Sequence, residues 1–356
     1  MSARRADRLV DLLAERELDA LIVTNLTNVR YLTGFTGTNG ACVVGREERV
    51  FFTDFRYVQQ SGEQVRDFER ADASRDLLAD ISARLRGTVG FEEDHLTVAA
   101  HRKLGESVPD GVELVPVPGL VERLRSVKDE TEVAAMAAAA DIATAAYESL
   151  RERERGLAGR TERDVAMGLV RFMEDQGSEP PCFPPIVASG AHGSLPHAVP
   201  RDVEIARDTL VVIDLGARVD GYCSDCTRTL ATGSVTDEMR EVYGLVQSAQ
   251  VEALAAVTAG AECGALDAVA REIIDAAGHA DHFGHGLGHG VGLQVHETPR
   301  LGKTAEGQVG AGNAVTVEPG VYLPGEFGVR IEDLVVVTEA EPCVLTAFPK
   351  DLVTVR

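Results

Sequence analysis

The sequence has no run of 18 or more apolar residues, which excludes a transmembrane helix of ordinary length. Its first ten residues, MSARRADRLV, contain no apolar segment and no small-residue cleavage site, which argues against a secretory signal. The six cysteines are scattered over 356 residues and form no compact disulfide framework. We therefore predict reduced thiols and a cytoplasmic location.

Basic residues are also scarce, with 35 Lys and Arg against 57 Asp and Glu and a formal net charge of −22. An acidic surface repels phosphate groups, so we predict neither a nucleic-acid partner nor an anionic-membrane partner. The chain is 44% hydrophobic and 26% charged, the balance of a globular protein long enough for two cores.

The organisation of the chain changes near residue 125. Residues 1–125 alternate helical and strand patterns and end in a loop rich in Pro and Gly, which predicts a small α/β domain. Residues 126–356 begin with long helices and become rich in strands from about residue 180, which predicts a second domain. The predicted helices are 5–17 in the first domain and 130–155, 161–176, 236–257 and 265–276 in the second.

A first pair of carboxylates, Asp214 and Asp225, flanks a hairpin signal, the dipeptide Asp-Gly at 220–221. A loop at 220–221 sets Asp214 opposite Thr227, with Asp225 one diagonal step away. A loop at 219–220 instead sets Asp214 directly opposite Asp225. In both registers the two carboxylates point to the same face.

A second pair, Glu318 and Glu332, follows the apolar segments 315–317 and 328–331. The midpoint of the pair is Gly325, within an odd-length loop, so the two carboxylates again share a face. Like charges held together need a cation or a shared proton. Two hairpins of this kind predict two structurally similar halves facing one site.

Histidines are concentrated in the same part of the chain, with seven of the nine between residues 192 and 296. His285 and His289 lie within 284–292, where glycine occupies every second position. This is a strand period, which places the two imidazoles on one face and leaves the other face bare for close backbone packing.

Four carboxylates and imidazole nitrogens are ligands suited to two divalent ions, Mn or Co, with Zn or Fe as further options. Two ions about 3.5–4 Å apart can polarise a carbonyl and activate water, which is the two-metal route to hydrolysis. The C-x-x-C at 223–226 has no second pair, and strand alternation sends its cysteines to opposite faces, which disfavours a zinc knuckle.

Nine segments together carry a family pattern. They are VVIDLGA (211–217), GYCSDCTRT (221–229), HGLGHGVGL (285–293), VTVEPGVY (315–322), GVRIED (328–333), RSVKDETEV (125–133), IVASGAHGSLPH (186–197), NVRYLTGFTG (28–37) and TDFRY (53–57). They resemble the pita-bread metallopeptidases, and the N-terminal segments resemble the prolidase and aminopeptidase P branch. The resemblance implies an α/β (α+β) chain with a creatinase-like N-terminal domain, 1–125, and a pita-bread catalytic domain, 126–356.

The resemblance also implies five metal ligands. Asp214 would chelate one ion, while His289 and Glu318 would hold the other. Asp225 and Glu332 would bridge the two ions.

Further roles are implied for residues around those ligands. His197 and His296 would contact the substrate carbonyl and stabilise the oxyanion, and His285 would support the site from nearby. Glu318 could also act as the general base.

Two more positions have a less direct relation to the site. Arg330 would orient Asp225 from behind. The family often has Asn where this chain has His192, so the role of His192 stays open.

Arg300, four residues after His296, has two interpretations. Its guanidinium could bind the free carboxylate of a dipeptide, or it could be a solvated loop arginine. The first predicts a dipeptidase and the second an enzyme that accepts longer peptides.

The predicted function is hydrolysis of the Xaa-Pro bond at the free N-terminus of short proline-containing peptides, by a metal-dependent homodimer. One alternative is a methionine aminopeptidase-like enzyme, which the additional N-terminal domain of about 125 residues disfavours. Another is a metal-free binding module or creatinase-like hydrolase, which the intact set of five ligands disfavours.

Overall fold

The computed structural model describes residues 2–152 and 156–355. Contacts divide the chain into two compact units, Met1–Arg125 and Ser126–Arg356. Within the described residues, no helix combines the length and the apolar character that crossing a membrane requires.

The first unit contains a six-stranded sheet. Its strands are β1 (Ala20–Val23), β2 (Gly40–Gly45), β3 (Arg49–Thr53), β4 (Glu69–Asp72), β5 (Thr88–Glu92) and β6 (Glu113–Val117). Its helices are α1 (Ser2–Glu15), α2 (Leu26–Thr33), α3 (Val58–Gln64), α4 (Leu77–Ser82), α5 (Val98–Ser107) and α6 (Leu120–Ser126), and a 3-10 turn spans Phe55–Tyr57. The strand order is β4-β3-β2-β1-β5-β6, with β1 antiparallel to β2 and parallel to β5.

The strands of this unit follow the apolar runs in the sequence. All residues of β1 and β2 are buried, as expected for strands covered on both faces. Helix α1 ends at Glu15, two residues before the predicted end, because Glu17 adopts a left-handed backbone conformation with φ of 56°.

The described residues of the second unit form four α-helices and several antiparallel sheets. The helices are α7 (Glu130–Glu152), α8 (Glu162–Asp175), α9 (Asp237–Ala256) and α10 (Cys263–Ala276). The strands are β7 (Ile186–Ser189), β8 (Leu210–Leu215), β9 (Arg218–Val219), β10 (Tyr222–Cys223), β11 (Cys226–Ala231), β12 (Gly288–Gly290), β13 (Glu297–Leu301), β14 (Ala314–Val317), β15 (Gly320–Leu323), β16 (Phe327–Arg330), β17 (Asp333–Val336) and β18 (Cys343–Val344). The main sheets have the orders β11-β8-β7 and β13-β12-β14-β17-β18, and β9/β10 and β15/β16 form two-stranded hairpins.

Side-chain caps determine where two of these helices begin. The Thr161 side chain accepts a hydrogen bond from Asp164 N, and the Thr236 side chain accepts one from Met239 N. Helix α10 begins at Cys263, two residues before the predicted start. The predicted helix 130–155 is present up to Glu152, and positions 153–155 lie outside the described residues.

The second unit is built from two comparable halves. In one core, Leu169 of α8 packs with Ile213 of β8, and in the other, Val246 of α9 packs with Val315 of β14. Each fully buried side chain of this type contributes about 1.5–3 kcal/mol to stability. Each half is therefore an antiparallel sheet covered by two helices, which agrees with the two similar halves predicted from the hairpins.

Candidate active site

All ten side chains predicted from the sequence to form the site line one cavity of about 1070 Å³ in the second unit. They are His197, Asp214, Asp225, His285, His289, His296, Arg300, Glu318, Arg330 and Glu332. Apolar side chains, among them Phe183, Pro184 and Ile186, line the same cavity. The cavity lining thus combines charged and apolar groups.

The first hairpin adopts one of the two predicted registers. Asp220 and Gly221 have φ of 50° and 82°, which is the left-handed backbone that a two-residue hairpin turn requires. The β8/β11 ladder accordingly sets Asp214 opposite Thr227. The loop is therefore 220–221, and Asp225 is the diagonal neighbour of Asp214.

The second hairpin has the predicted odd-length loop, with Gly325 at φ of 80°. The β14/β17 and β15/β16 ladders share one register, which places Glu318 across from Glu332 in the gap between them. The Thr227 hydroxyl donates to Glu332 Oε2 at 2.7 Å and so connects the first hairpin to the second.

His289 lies between the two carboxylate pairs. Its Nδ1 donates to the Gly290 carbonyl at 3.1 Å. Its Nε2 lies 3.3 Å from Glu318 Oε1 and 3.7 Å from Asp225 Oδ2. The backbone bond on Nδ1 thus directs Nε2 toward the carboxylates, which is the arrangement of a metal-ligating imidazole.

The glycine-rich segment allows this close approach. Only Gly288–Gly290 is a regular strand, so the predicted strand over 284–292 is correct in its centre and wrong at its ends. A Cβ on Gly288 would collide with the Thr316 carbonyl, and one on Gly290 with the Thr298 carbonyl. The bare face predicted from the sequence is therefore packed against neighbouring backbone.

The carboxylates repel one another strongly. Burial, reinforced by neighbouring carboxylates, raises the pKa of Asp225 and of Glu332 well above their ordinary values. Burial and the charge of Glu318 raise the pKa of Asp214, against the opposing charge of Arg330. Burial opposes ionisation of Glu318, but the hydrogen bond and charge of His289 more than offset it and lower its pKa to about 2.

This donor set fits a divalent cation. Ligand atoms of Asp225, His289 and Glu332 lie within 4.8 Å of one another. Asp214 Oδ1 is buried and has no hydrogen-bond partner among the described residues. Oxygen and imidazole donors that are buried, close together and incompletely paired are what a hard or borderline metal ion satisfies.

Arg330 contacts a different carboxylate from the one predicted. Its Nη2 donates to Asp214 Oδ2 at 2.7 Å, whereas the family resemblance implies a contact with Asp225. The reason is the ladder: Arg330 Nε donates to the Thr227 hydroxyl at 2.9 Å, and Thr227 faces Asp214. The guanidinium therefore lies beside Asp214.

His285 is held in place by contacts at both ring nitrogens. Its Nδ1 donates to the Gly286 carbonyl at 2.8 Å, and its Nε2 lies 2.9 Å from the Tyr322 hydroxyl oxygen. The Tyr322 oxygen in turn accepts from Arg330 Nη1 at 2.8 Å. Burial also lowers the pKa of His285, which agrees with a neutral ring.

His192, whose role the sequence left open, is part of the support for the loop that carries His197. Glu162 is fully buried, and its Oε2 lies 2.9 Å from His192 Nδ1. The same carboxylate accepts from Ser189 N at 2.9 Å and from Arg201 Nε at 3.2 Å. Glu162 therefore fastens both ends of this loop.

Two more predicted residues lie at the open side of the cavity. The exposed ring of His296 packs edge-on against His289, with ring centroids 4.4 Å apart. Arg300 is exposed and faces His289 in the β12/β13 ladder.

Comparisons with known proteins identify the family. Residues 134–339 match the model of metallopeptidase family M24, and residues 5–127 match the creatinase/prolidase N-terminal domain. The chain belongs to metallopeptidase family M24. The predicted family and the predicted two-domain α/β class are thereby confirmed.

Relatives in family M24 match along the whole chain. An Xaa-Pro dipeptidase of Pyrococcus furiosus is 34% identical, over 98% of this chain and 99% of the relative. The solved structure of an Xaa-Pro dipeptidase from Bacillus anthracis has a TM-score of 0.95 at 36% identity, covering 99% of this chain and 100% of that one. The crystal structure of an X-Pro aminopeptidase from Thermotoga maritima has a TM-score of 0.89 at 33% identity, covering 98% and 99%.

Sequence reasoning missed three hydroxyl residues of the M24 site, namely Thr227, Thr316 and Tyr322. The Thr316 hydroxyl accepts from His289 N at 3.0 Å and donates to Glu318 Oε1 at 3.1 Å. Strand alternation contains the signal for the two threonines, since each is two residues from a predicted ligand carboxylate and shares its face. Tyr322 has no such signal, because the fold brings it to His285.

Tyr322→Phe is expected to lower the free energy of unfolding by about 1–3 kcal/mol, because it leaves a buried guanidinium and a buried imidazole nitrogen each short of a partner. Urea denaturation followed by circular dichroism measures the change. Tyr243→Phe is the matched control, since the Tyr243 hydroxyl donates to the Lys350 carbonyl at 2.9 Å and has no second partner within the described part of the chain. A loss for Tyr322→Phe no larger than that for Tyr243→Phe would contradict the proposed importance of this contact.

Proposed function

We propose that this chain is a dinuclear metallopeptidase that hydrolyses the Xaa-Pro bond at the free N-terminus of short peptides. The observation that carries the proposal is the convergence of four carboxylates and one imidazole on a single cavity, with ligand atoms of three of them within 4.8 Å of one another. The dipeptidase and aminopeptidase names of full-length relatives support the substrate class.

In this proposal Asp214 would hold one divalent ion, His289 and Glu318 would hold a second, and Asp225 and Glu332 would be shared between the two ions. Mn or Co is the proposed metal, because carboxylate oxygens dominate the donor set, with Zn or Fe as alternatives. Bound divalent ions supply Lewis acidity toward the scissile carbonyl and acidify water.

The protein groups orient the substrate and move the protons. The imidazole N–H groups of His197 and His296 donate to the carbonyl oxygen and stabilise the oxyanion that develops on it. Glu318 takes the proton of the attacking water and delivers it to the departing proline nitrogen. The Tyr322–Arg330 contacts hold His285 and Asp214 in place behind these groups.

We further propose that the peptide is a dipeptide whose C-terminal carboxylate pairs with Arg300. Arg300 lines the same cavity as His296, and a guanidinium binds a carboxylate through two parallel hydrogen bonds. The apolar side chains of Phe183 and Ile186 line the same cavity and could pack against a proline ring.

Arg300→Ala is expected to lower kcat/KM for an Xaa-Pro dipeptide by roughly tenfold to a hundredfold, since a charge-assisted hydrogen bond contributes about 1.5–3 kcal/mol. It is expected to leave an Xaa-Pro tripeptide nearly unchanged, because the carboxylate of the longer peptide lies one residue farther away. Steady-state kinetics with both peptides measure the difference, and Arg163→Ala, at an exposed arginine paired with Asp202, is the control.

Results of this experiment, together with an assay of methionine removal and an assay without metal, separate the alternatives. Equal losses on both peptides would mean that Arg300 supports the structure. A wild-type enzyme that prefers tripeptides would move the assignment to aminopeptidase P. Detection of methionine removal without Xaa-Pro cleavage would favour the methionine aminopeptidase-like alternative, and full activity without metal would favour a creatinase-like hydrolase.

The domain limits 1–125 and 126–356 are also proposed, with the division of contacts at Arg125 and Ser126 in support. A homodimer and a cytoplasmic location complete the proposal and rest on the family resemblance and on cysteine usage. Analytical ultracentrifugation and cell fractionation test these two points.

A further inference from the structure

A buried ion pair joins Lys128 to Glu297, the residue that follows His296 in the sequence. Neither residue belongs to the proposed set of metal ligands. Lys128 Nζ lies 3.2 Å from Glu297 Oε2, although the two residues are 169 positions apart. Their side chains are 1% and 5% exposed. Burying two charges costs desolvation energy, which their attraction offsets only when the geometry is good. A buried ion pair is therefore weak evidence for stability, and we looked for a functional role for this one.

The lysine end of the pair is held firmly. Lys128 N donates to the Gly312 carbonyl at 2.8 Å, and Asn313 Nδ2 donates to the Ser126 carbonyl at 2.9 Å. Lys128 Nζ also donates to the Ser126 carbonyl at 3.4 Å. The ammonium is therefore tied to the segment that enters β14, the strand leading to Glu318.

The glutamate end closes the turn that carries His296. Glu297 Oε1 accepts from Gln294 N at 3.1 Å. The backbone of Gly292 lies directly against the carboxylate, since a Cβ at that position would be 2.6 Å from Glu297 Oε2. The carboxylate of Glu297 thus contacts the beginning of the turn 292–297, while Glu297 itself forms its end. His296 lies within this turn, immediately before Glu297.

We propose that the Lys128–Glu297 ion pair positions His296 in the cavity, so that Lys128 and Glu297 are positioning residues for catalysis. The inference rests on the proposed function, in which His296 contacts the substrate carbonyl. Lys128 anchors Glu297, Glu297 shapes the turn, and the turn sets the imidazole of His296 against that of His289.

Lys128→Met is expected to lower kcat by roughly tenfold to a hundredfold, because a misplacement near 1 Å at a reacting group has an effect of that size. KM is expected to stay within about threefold, since the contact of His296 is strongest in the transition state. Lys128→Arg keeps a cation within reach of Glu297 and should restore most of kcat. Lys103→Met, at an exposed lysine paired with Asp76, is the matched control and should change neither constant.

A double-mutant cycle separates positioning from general support. In the His296→Ala background, Lys128→Met should cause less than about a twofold further loss, because the group that the pair positions is already absent. Losses that multiply would overturn the proposal. Glu297→Gln keeps the acceptor for Gln294 N and repeats the test if Lys128→Met does not fold.

The NMR signal of the His296 ring provides a readout that does not depend on activity. Its resonance is identified by its loss in His296→Ala, and it should shift in Lys128→Met, return toward its position in Lys128→Arg and stay unchanged in Lys103→Met. A shift as expected in a protein that does not cleave Xaa-Pro peptides would defeat the proposed function and leave the positioning intact. If the wild type is active but Lys128→Met changes neither the His296 ring signal nor kcat, the positioning proposal is wrong and the proposed function still stands.

Discussion

Chelation of divalent ions is expected to abolish hydrolysis of an Xaa-Pro dipeptide by this protein, and Mn²⁺ or Co²⁺ is expected to restore it. The carboxylates of Asp214, Asp225 and Glu332 have raised pKa values through desolvation and repulsion from neighbouring carboxylates, which cations would relieve. The measurement is the initial rate after dialysis against EDTA and after readdition of each metal.

A thermal-unfolding control accompanies the chelation experiment. Ions that bind the folded chain raise its melting temperature by mass action, so metal readdition should raise Tm together with the rate. Elemental analysis should find two ions per chain in the restored enzyme. Undiminished activity in protein shown to be free of metal would defeat the dinuclear mechanism.

Asp225→Asn is expected to lower kcat/KM by roughly a thousandfold, because loss of the carboxylate proposed to bridge the two ions would remove several kcal/mol of transition-state stabilisation. The amide keeps the size of the side chain, so the fold should persist. Metal content should fall below that of the wild type, and both quantities are measured on the same preparation.

Asp220→Asn makes the same chemical change in the same hairpin and serves as the control. Asp220 is exposed at the turn, and its φ of 50° is a conformation that Asn accepts. It should retain wild-type kinetics and metal content. Equal losses in the two variants would point to the hairpin fold instead of to metal binding.

Much of the site could be predicted because its residues are tied to local patterns. A turn dipeptide and an odd-length loop determine which residues of each hairpin share a face, and both carboxylate pairs follow from that arithmetic. The spacing of glycine around His289 predicts a strand that packs closely on its neighbours, and the structure confirms this for Gly288–Gly290.

The errors lie where several elements meet. Arg330 was assigned to Asp225 and instead donates to Asp214, because the register of β8 with β11 decides which carboxylate it reaches. The partner of His285 is Tyr322, which is 37 positions away. Neither contact is reflected in a periodic pattern of the sequence, so neither can be predicted from local sequence.

By itself, the sequence determined the two-domain α/β class through its helix, strand and turn patterns, and the family through the nine motif segments that resemble it. It also supplied the donor side chains that remain predictions. Only the tertiary structure decided the hydrogen-bond partners of His285, the support of the His197 loop by Glu162 and the pairing of Lys128 with Glu297. The physical reason is that a buried polar group is satisfied by whichever partner the packing of distant segments brings within hydrogen-bond reach.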